Sequence, residues 1–445
     1  ALKTSGALTC LEVLRECFDS MDRDAQRRLD CLYRHFVREP RPLSRLNMVP
    51  LGAQTEEENE EAVLVGGMIL DIHGVPFSSP LPKTTTPGKV SYMRGGVARN
   101  VAECMLKLGS KPFLISALGT DMAGQLLLQH WSSTGLSIAG IRMGKNIETP
   151  VICNVFDTSG ELAAAVASVQ SIERFLDANW VHQCENKIRS APILMADANL
   201  SPVALEACCK VASKHEVPVW FEPVSVAKSK RITSVAHLVT IASPNVEELI
   251  AMANALSNGE TPSPLKPPDD NISLQSLLHK CKHPISILLN KGIKVIALTL
   301  GGNGVFLCCK GREWAEYRLE RAKGLPMESP FCPLSRVSPD GMSCKDSEVV
   351  MVHFPALRTE VVRLTGAGDC FVGGALWGLC SGLGVMKSVA VGVAAAKCAV
   401  GGESNVPLCF DLGAVAGNFV LLCFALFLIQ FGGFVFGFNL GVLFL

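Results

Sequence analysis

An excess of charge of either sign is missing from this 445-residue sequence, in which 41 Lys and Arg stand against 41 Asp and Glu. That balance excludes the strongly basic surface of a dedicated nucleic-acid binder. Cysteines at metal-ligand or redox spacing are also missing. The 18 cysteines are scattered without a CxxC, and the doublets Cys208-Cys209 and Cys308-Cys309 are poor disulfide partners, so a reduced, cytoplasmic compartment is expected. No basic stretch leads into an apolar core near residue 1, so no signal peptide is read. What the sequence does have is apolar content, 48% hydrophobic residues against 18% charged, which excludes disorder over most of the chain. At this length, one large domain with appendages or two domains are expected.

Apolar residues at helical spacing over 8–37, among them Leu11, Leu14, Phe18, Leu29, Leu32 and Phe36, predict two short amphipathic helices. They fade into a Pro-bearing and then acidic linker ending near residue 61. Segment 1–61 therefore reads as an appendage or as the end of a longer chain. From 62 to 411, short apolar runs (63–70, 113–118, 193–196, 217–221, 238–242 and 295–300) alternate with helical patterns (97–108, 202–214, 246–255). That order predicts an α/β fold with a mainly parallel central sheet, helices on both faces, and ligands at the carboxyl ends of the strands. Runs 151–156 and 161–169, joined by Asp157-Thr158-Ser159-Gly160, predict a hairpin in a small second sheet. Segments 257–272 and 322–347 read as surface insertions. The tail, 412–445, has no charged residue. A membrane anchor and a non-native extension both fit it, and it is expected to stand apart from a domain already complete.

The most specific string is Thr365-Gly366-Ala367-Gly368-Asp369-Cys370-Phe371-Val372-Gly373-Gly374, at the opening of a helix. Small residues at 366–368 let successive backbone N–H groups converge, the helix dipole adds positive charge, and an anion hole for a phosphoryl group results. Asp369 is placed to take the proton of an attacking hydroxyl. A capped glycine turn is the alternative for the short core of that string. Arg94-Gly95-Gly96-Val97-Ala98-Arg99-Asn100 opens another helix, where paired glycines admit a polyhydroxylated ligand and Asn100 offers donor and acceptor. Asp71 is expected at the end of the first strand, on the ligand rim. Ser243-Pro244-Asn245-Val246-Glu247-Glu248 follows a strand and could set an amide and a carboxylate near Mg²⁺ and nucleotide phosphates, or simply start a helix. Thr299-Leu300-Gly301-Gly302-Asn303-Gly304 reads as strand, turn and strand bordering a nucleotide, or as an ordinary hairpin turn. His279 and His283, four apart with lysines between them, read as a surface helix.

In this order and spacing the four strings resemble the ribokinase or PfkB family of carbohydrate and nucleoside kinases over 62–410. The resemblance implies a ribokinase-like core with a β lid, ATP as donor, and Mg²⁺ bridging its phosphates; it also admits K⁺ and a homodimer. Residue by residue, it implies Asp369 as base, Gly366, Ala367 and Gly368 as anion hole, and Asp71, Gly95, Gly96 and Asn100 on the sugar. Asn245, Thr299, Gly301 and Gly304 fall on the nucleotide and Glu248 on the metal. Within the family, Gly-Gly-Val-Ala-Arg-Asn at 95–100, Asp197-Ala198-Asn199-Leu200 and Phe221-Glu222-Pro223-Val224-Ser225-Val226-Ala227-Lys228 are similar to the pseudouridine-phosphorylating branch, where Glu222 departs from a more usual Asp. The expected activity is transfer of phosphate to the 5'-hydroxyl of a small nucleoside, with no nucleic-acid partner and with membrane contact only through a native tail. Two alternatives are a kinase for another ribosyl nucleoside or sugar and an inactive membrane-attached nucleoside-binding protein.

Overall fold

The computed structural model of the chain describes residues 61–79, 83–159, 161–257, 273–311 and 349–415, with 314, 317, 319, 417, 418, 422 and 442–444 besides. All fall in the second of the two units into which the chain divides, Ala1–Glu58 and Asn59–Leu445. The helices expected over 8–37, the acidic linker, the insertion 322–347, nearly all of 257–272 and most of the tail lie outside the described residues.

The strands are β1 (Val63–Val65), β2 (Ile69–Pro76), β3 (Gly88–Gly95), β4 (Phe113–Gly119), β5 (Ile141–Gly144), β6 (Val151–Phe156) and β7 (Leu162–Ser168). They continue with β8 (Leu194–Asp197), β9 (Val219–Glu222), β10 (Ile241–Ala242), β11 (Val295–Thr299), β12 (Val305–Lys310), β13 (Val349–Phe354) and β14 (Val442–Phe444). The longer helices are α1 (Val97–Lys107), α2 (Met122–Ser133), α3 (Pro202–Lys214), α4 (Val246–Leu256), α5 (Leu274–Asn290), α6 (Ala367–Cys380) and α7 (Val385–Val400).

One sheet has ten strands in the order β14-β13-β12-β11-β10-β9-β8-β1-β4-β5. It is parallel from β11 to β5 and antiparallel from β11 to β14. Both its faces are covered. In β1, Val63 and Val65 enter one core and Leu64 the other, the period of two that a pleated strand imposes. Leu205 of α3, Leu249 of α4 and Leu288 of α5 pack on the first face. Val101 of α1, Leu127 of α2, Phe371 of α6 and Val389 of α7 pack on the second. The expected α/β architecture is therefore present. The order reverses at β1, with β4 on one side and β8 on the other, which opens a crevice at the carboxyl ends of these strands.

Three expectations need correction. The apolar run 63–70 is two strands in two sheets. A Cβ at Gly66 would lie 2.1 Å from the Asp197 carboxylate, so the chain narrows to bare backbone there, leaves the large sheet, and enters a second one at Ile69. Asp71 consequently sits near the start of β2 instead of ending the first strand. The run 238–242 shortens to Ile241–Ala242, because Ala236–Leu238 forms a 3-10 turn. Finally, part of the tail is seated on the domain: Val415 and Leu422 are buried at 7% and 3% exposure, and β14 pairs antiparallel with β13. Leu422 and Val415 join the core clusters of the α/β domain. No helix among the described residues is long and apolar enough to cross a membrane.

The second sheet runs β3-β2-β6-β7. The hairpin expected at 151–169 is its β6–β7 pair, with Asp157 accepting from the N–H groups of Ser159 and Glu161 in the turn. Its other half, β2 and β3, was not legible from the sequence, because polar and glycine residues interrupt any clean alternation there.

Candidate active site

α6 begins where the expected anion hole lies. Gly366 caps it at φ 88°, a left-handed conformation that favours glycine, and a Cβ there would meet the Asn405 carbonyl at 2.0 Å. Nothing lies within 4 Å of a Cβ built on Gly368, which leaves open space beside this helix start, while the Ala367 N–H is taken by the Leu364 carbonyl at 3.2 Å. Asp369 is in the first turn. The paired glycines that follow serve packing: a Cβ at Gly373 would sit 2.7 Å from the Cys104 Cβ on α1, and one at Gly374 2.8 Å from the Ala395 Cβ on α7.

α1 meets this helix start through its own first turn. Asn100 Nδ2 donates to Asp369 Oδ2 at 2.6 Å, joining two strings 269 residues apart in the chain. The paired glycines before α1 have a sharper cause than a bulky ligand. A Cβ on Gly95 would lie 2.1 Å from Asp71 Oδ2, and one on Gly96 (φ 96°) 2.2 Å from the Gly67 carbonyl. Gly95 thus admits the Asp71 carboxylate over the backbone and Gly96 locks the β1–β2 junction. Behind them Asp197, fully buried at the end of β8, accepts from the N–H groups of Gly67, Ala98 and Asn199 at 3.1, 3.2 and 3.0 Å.

The electrostatics set these carboxylates apart. Loss of water pushes Asp369 up to about 6, with Asn100 and Arg99 pulling down and Asp197 and Asp71 pushing further up. Asp71 is pushed up to about 6 by burial, against the pull of Arg99, Arg363 and Asn405. Glu222, at the end of β9, rises well above the usual carboxylate range by burial and by repulsion from Glu248, Asp369 and Asp197, while its bond from Ser243 opposes the rise.

At the start of α4, Asn245 and Glu248 form a capping box. Asn245 Oδ1 accepts from the Glu248 N–H and Glu248 Oε2 from the Asn245 N–H, each at 2.9 Å. Helix starting thus accounts for this pair, while one oxygen of Glu248 and the Asn245 amide nitrogen stay outside the box. A parallel bridge sets Asn245 beside Thr299. The turn Gly301–Asn303 links antiparallel β11 and β12. Gly301 and Gly302 have nothing within 4 Å of a built Cβ, whereas Gly304, at φ 90°, has the Phe354 carbonyl 2.0 Å away. The His353 ring accompanies it, its Nε2 2.7 Å from the Asn303 carbonyl.

Whether a divalent cation suits this donor set can be judged from the charges. Glu222 feels both Glu248 and Asp369 as repulsive neighbours, and a cation carried in with nucleotide phosphates would relieve that repulsion. Among the described residues no group of three or more His, Cys, Asp or Glu could hold a metal alone. That suits Mg²⁺, which takes one or two carboxylates plus phosphates and water. His279 and His283 lie on α5 outside any such group. Sequence reasoning gave no role to Asp197, Arg99, Arg363 or Asn405. Buried charge cannot be read from a local pattern, although an Arg inside an otherwise apolar helix face at 97–105 was a visible signal.

Comparison with known proteins agrees with this geometry. The sequence profile described as "pfkB family carbohydrate kinase" matches residues 59–323 and 337–407. A pseudouridine kinase of Arabidopsis thaliana is 45% identical over 364 residues, covering 80% of this chain and 95% of that one. A pseudouridine kinase of Escherichia coli is 26% identical over 56% of this chain and 73% of its own length. Among solved structures, Arabidopsis thaliana ribokinase complexed with ribose and ATP superposes with a TM-score of 0.59 at 18% identity, over 81% of this chain and 98% of that one. The chain therefore has a ribokinase-like fold, belongs to the pfkB family of carbohydrate kinases and is a phosphotransferase with an alcohol group as acceptor.

Proposed function

We propose that this chain transfers the γ-phosphoryl group of ATP to the 5'-hydroxyl of pseudouridine, giving pseudouridine 5'-phosphate. The observation that carries the reading is the Asn100–Asp369 hydrogen bond, which ties a sugar-binding helix to the base of a phosphoryl-transfer site. Likeness to the Arabidopsis pseudouridine kinase over 95% of that protein supports the choice of acceptor. In this reading Asp71, Gly95, Gly96 and Asn100 bind the ribose, and Asp369 takes the proton of the 5'-hydroxyl as it attacks. The N–H groups of Gly366, Ala367 and Gly368 receive the charge of the phosphoryl group in transit. Asn245, Thr299, Gly301 and Gly304 would border ATP, and Glu248, which repels the Glu222 carboxylate, would hold Mg²⁺. The ion neutralises phosphate charge when bound.

The β lid carries Asp71 itself, so its closure over the sugar would both complete the acceptor site and exclude water. A homodimer is compatible with the outer lid face, where Val90, Tyr92 and Val166 are exposed at 62%, 61% and 74%. K⁺ draws no support from the described residues and takes no part in the proposal.

Steady-state kinetics with pseudouridine, uridine, adenosine and ribose test the reading. Pseudouridine should have the highest kcat/KM by at least about tenfold, the scale of one hydrogen-bonded discrimination in a polar pocket. Equal or better use of ribose or adenosine would move the assignment to another acceptor of the family.

A further inference from the structure

Arg99 is 2% exposed, its neighbours Asn100 and Glu103 are each 4% exposed, and no step of phosphoryl transfer requires it to touch a substrate. A fully buried guanidinium is weakly justified by stability, because an apolar side chain of similar size often does as well. What it touches is specific. Nε donates to the Gly95 carbonyl at 3.0 Å and Nη2 to the Arg94 carbonyl at 2.6 Å. Nη1 donates to Glu103 Oε2 and Nη2 also to Asn100 Oδ1. Glu103 is held in turn by Lys107, whose Nζ lies 2.6 Å from Oε1 and 2.7 Å from the Pro407 carbonyl. Only a planar fork with five N–H donors spans acceptors in so many directions.

The chemistry of the two ends fixes the middle. A guanidinium only donates and a carboxylate only accepts, so Asn100 satisfies both in a single orientation, Oδ1 toward Arg99 and Nδ2 toward Asp369. Without Arg99 nothing among these contacts prevents the amide from turning over, and its oxygen would then face the Asp369 carboxylate.

We propose that Arg99 is a positioning residue for phosphoryl transfer: it fixes the amide of Asn100 so that Nδ2 donates to Asp369, and it clamps the Arg94 and Gly95 carbonyls that shape the sugar-side turn. The proposal rests on Asp369 being the base. It has a pH signature, since Asn100's donation favours the Asp369 carboxylate. The charged groups bearing on that carboxylate are Arg99 from α1, Asp71 from β2, Asp197 from β8 and Glu222 from β9. Arg99→Lys keeps the cation and removes the fork.

The experiment uses the full chain and compares wild type, Arg99→Lys, Asn100→Ala, the double variant, Asn100→Asp and Asp369→Asn. It records kcat and KM for nucleoside and ATP, the pH profile of kcat/KM, and thermal unfolding. Arg99→Lys should lower kcat by roughly 10- to 100-fold, the cost of a misplaced reacting group, move the acid limb to higher pH, and leave KM for ATP within about twofold. Adding Arg99→Lys to Asn100→Ala should cost less than about twofold more in kcat, because the part of Arg99's action that runs through Asn100 has nothing left to act on, whereas the lost clamp on the Arg94 and Gly95 carbonyls should still show in the KM for nucleoside. Asn100→Asp loses the donor to Asp369 and adds a like charge beside it, so its limb should move at least as far up and marks the size of shift that loss of the donation brings; if Arg99→Lys does not fold, Arg99→Met, alone and with Asn100→Ala, takes its place with the same readouts. Wild-type kcat and acid limb in Arg99→Lys, or in Arg99→Met where that is the folded variant, or an undiminished effect of either on kcat in the Asn100→Ala background, would overturn the proposal. Wild-type activity in Asp369→Asn would instead remove the base assignment beneath it.

Discussion

Asp369 and Asp71 owe their behaviour to removal from water, which pushes each carboxyl up to about 6. The consequence for activity has a definite sign. A general base works deprotonated, so kcat/KM should hold on the alkaline side and fall as pH drops through about 6, and a pH profile checks it. Asp369→Ala should lower kcat by about 10² to 10⁴ while ATP binding, followed by titration, hardly changes; more than about half the wild-type rate would contradict the role. The string at 365–374 and Asn100 were legible because glycine and small-residue patterns state a backbone requirement locally. Asp197 was not, because Gly67 and Ala98 stand 130 and 99 residues from it and are brought to it only by folding; the partners of Arg99 lie within five residues of it, but a local pattern does not say that the helix buries that side. Glu222 stood out in the sequence as a departure, but its repulsion from Glu248 and Asp369 is a fact of three dimensions.

Elements explain why the acceptor side is built from bare backbone. Gly66 makes room for Asp197, Gly95 for Asp71, and Gly96 for the Gly67 carbonyl, so the passage from large sheet to lid is a stack of close approaches. Gly95→Ala sets a Cβ 2.1 Å from Asp71 Oδ2, and the carboxylate must give way. Its expected result is a nucleoside KM raised by about tenfold or more, the scale of a lost charged hydrogen bond, with KM for ATP unchanged. Parallel changes in both would place the damage in the fold instead of the sugar site. At this scale the sequence was a good guide to helices, with 202–214 expected and found as Pro202–Lys214. It misled at 63–70, since a run apolar throughout says nothing about where a chain changes sheets. In the small sheet β2 carries Asp71, His73 and Gly74, and β3 begins and ends in glycine, so neither strand shows the apolar alternation that would have marked it.

For the molecule as a whole, the domain and its tail are less separate than their compositions suggest. Val415 and Leu422 are buried and β14 borders β13. Ending the chain at Asp411 removes two side chains worth roughly 1.5–3 kcal/mol each and opens an edge strand. Thermal denaturation should show a Tm lowered by several degrees, whereas kinase activity below that temperature should persist, since every proposed site residue precedes 412. An unchanged Tm would mean that these tail contacts do not hold the domain. The central proposal for the whole molecule is that Asp369 drives transfer of phosphate to the 5'-oxygen of a nucleoside held by the lid and α1. Phosphorus and proton NMR of the product formed from ATP and pseudouridine, by wild type and by Asp369→Asn, addresses this without intermediaries. Wild type should give pseudouridine 5'-phosphate and the variant, on the same timescale, almost none. Phosphate on another oxygen, no phosphorylated nucleoside from wild type, or equal product from both proteins would contradict it.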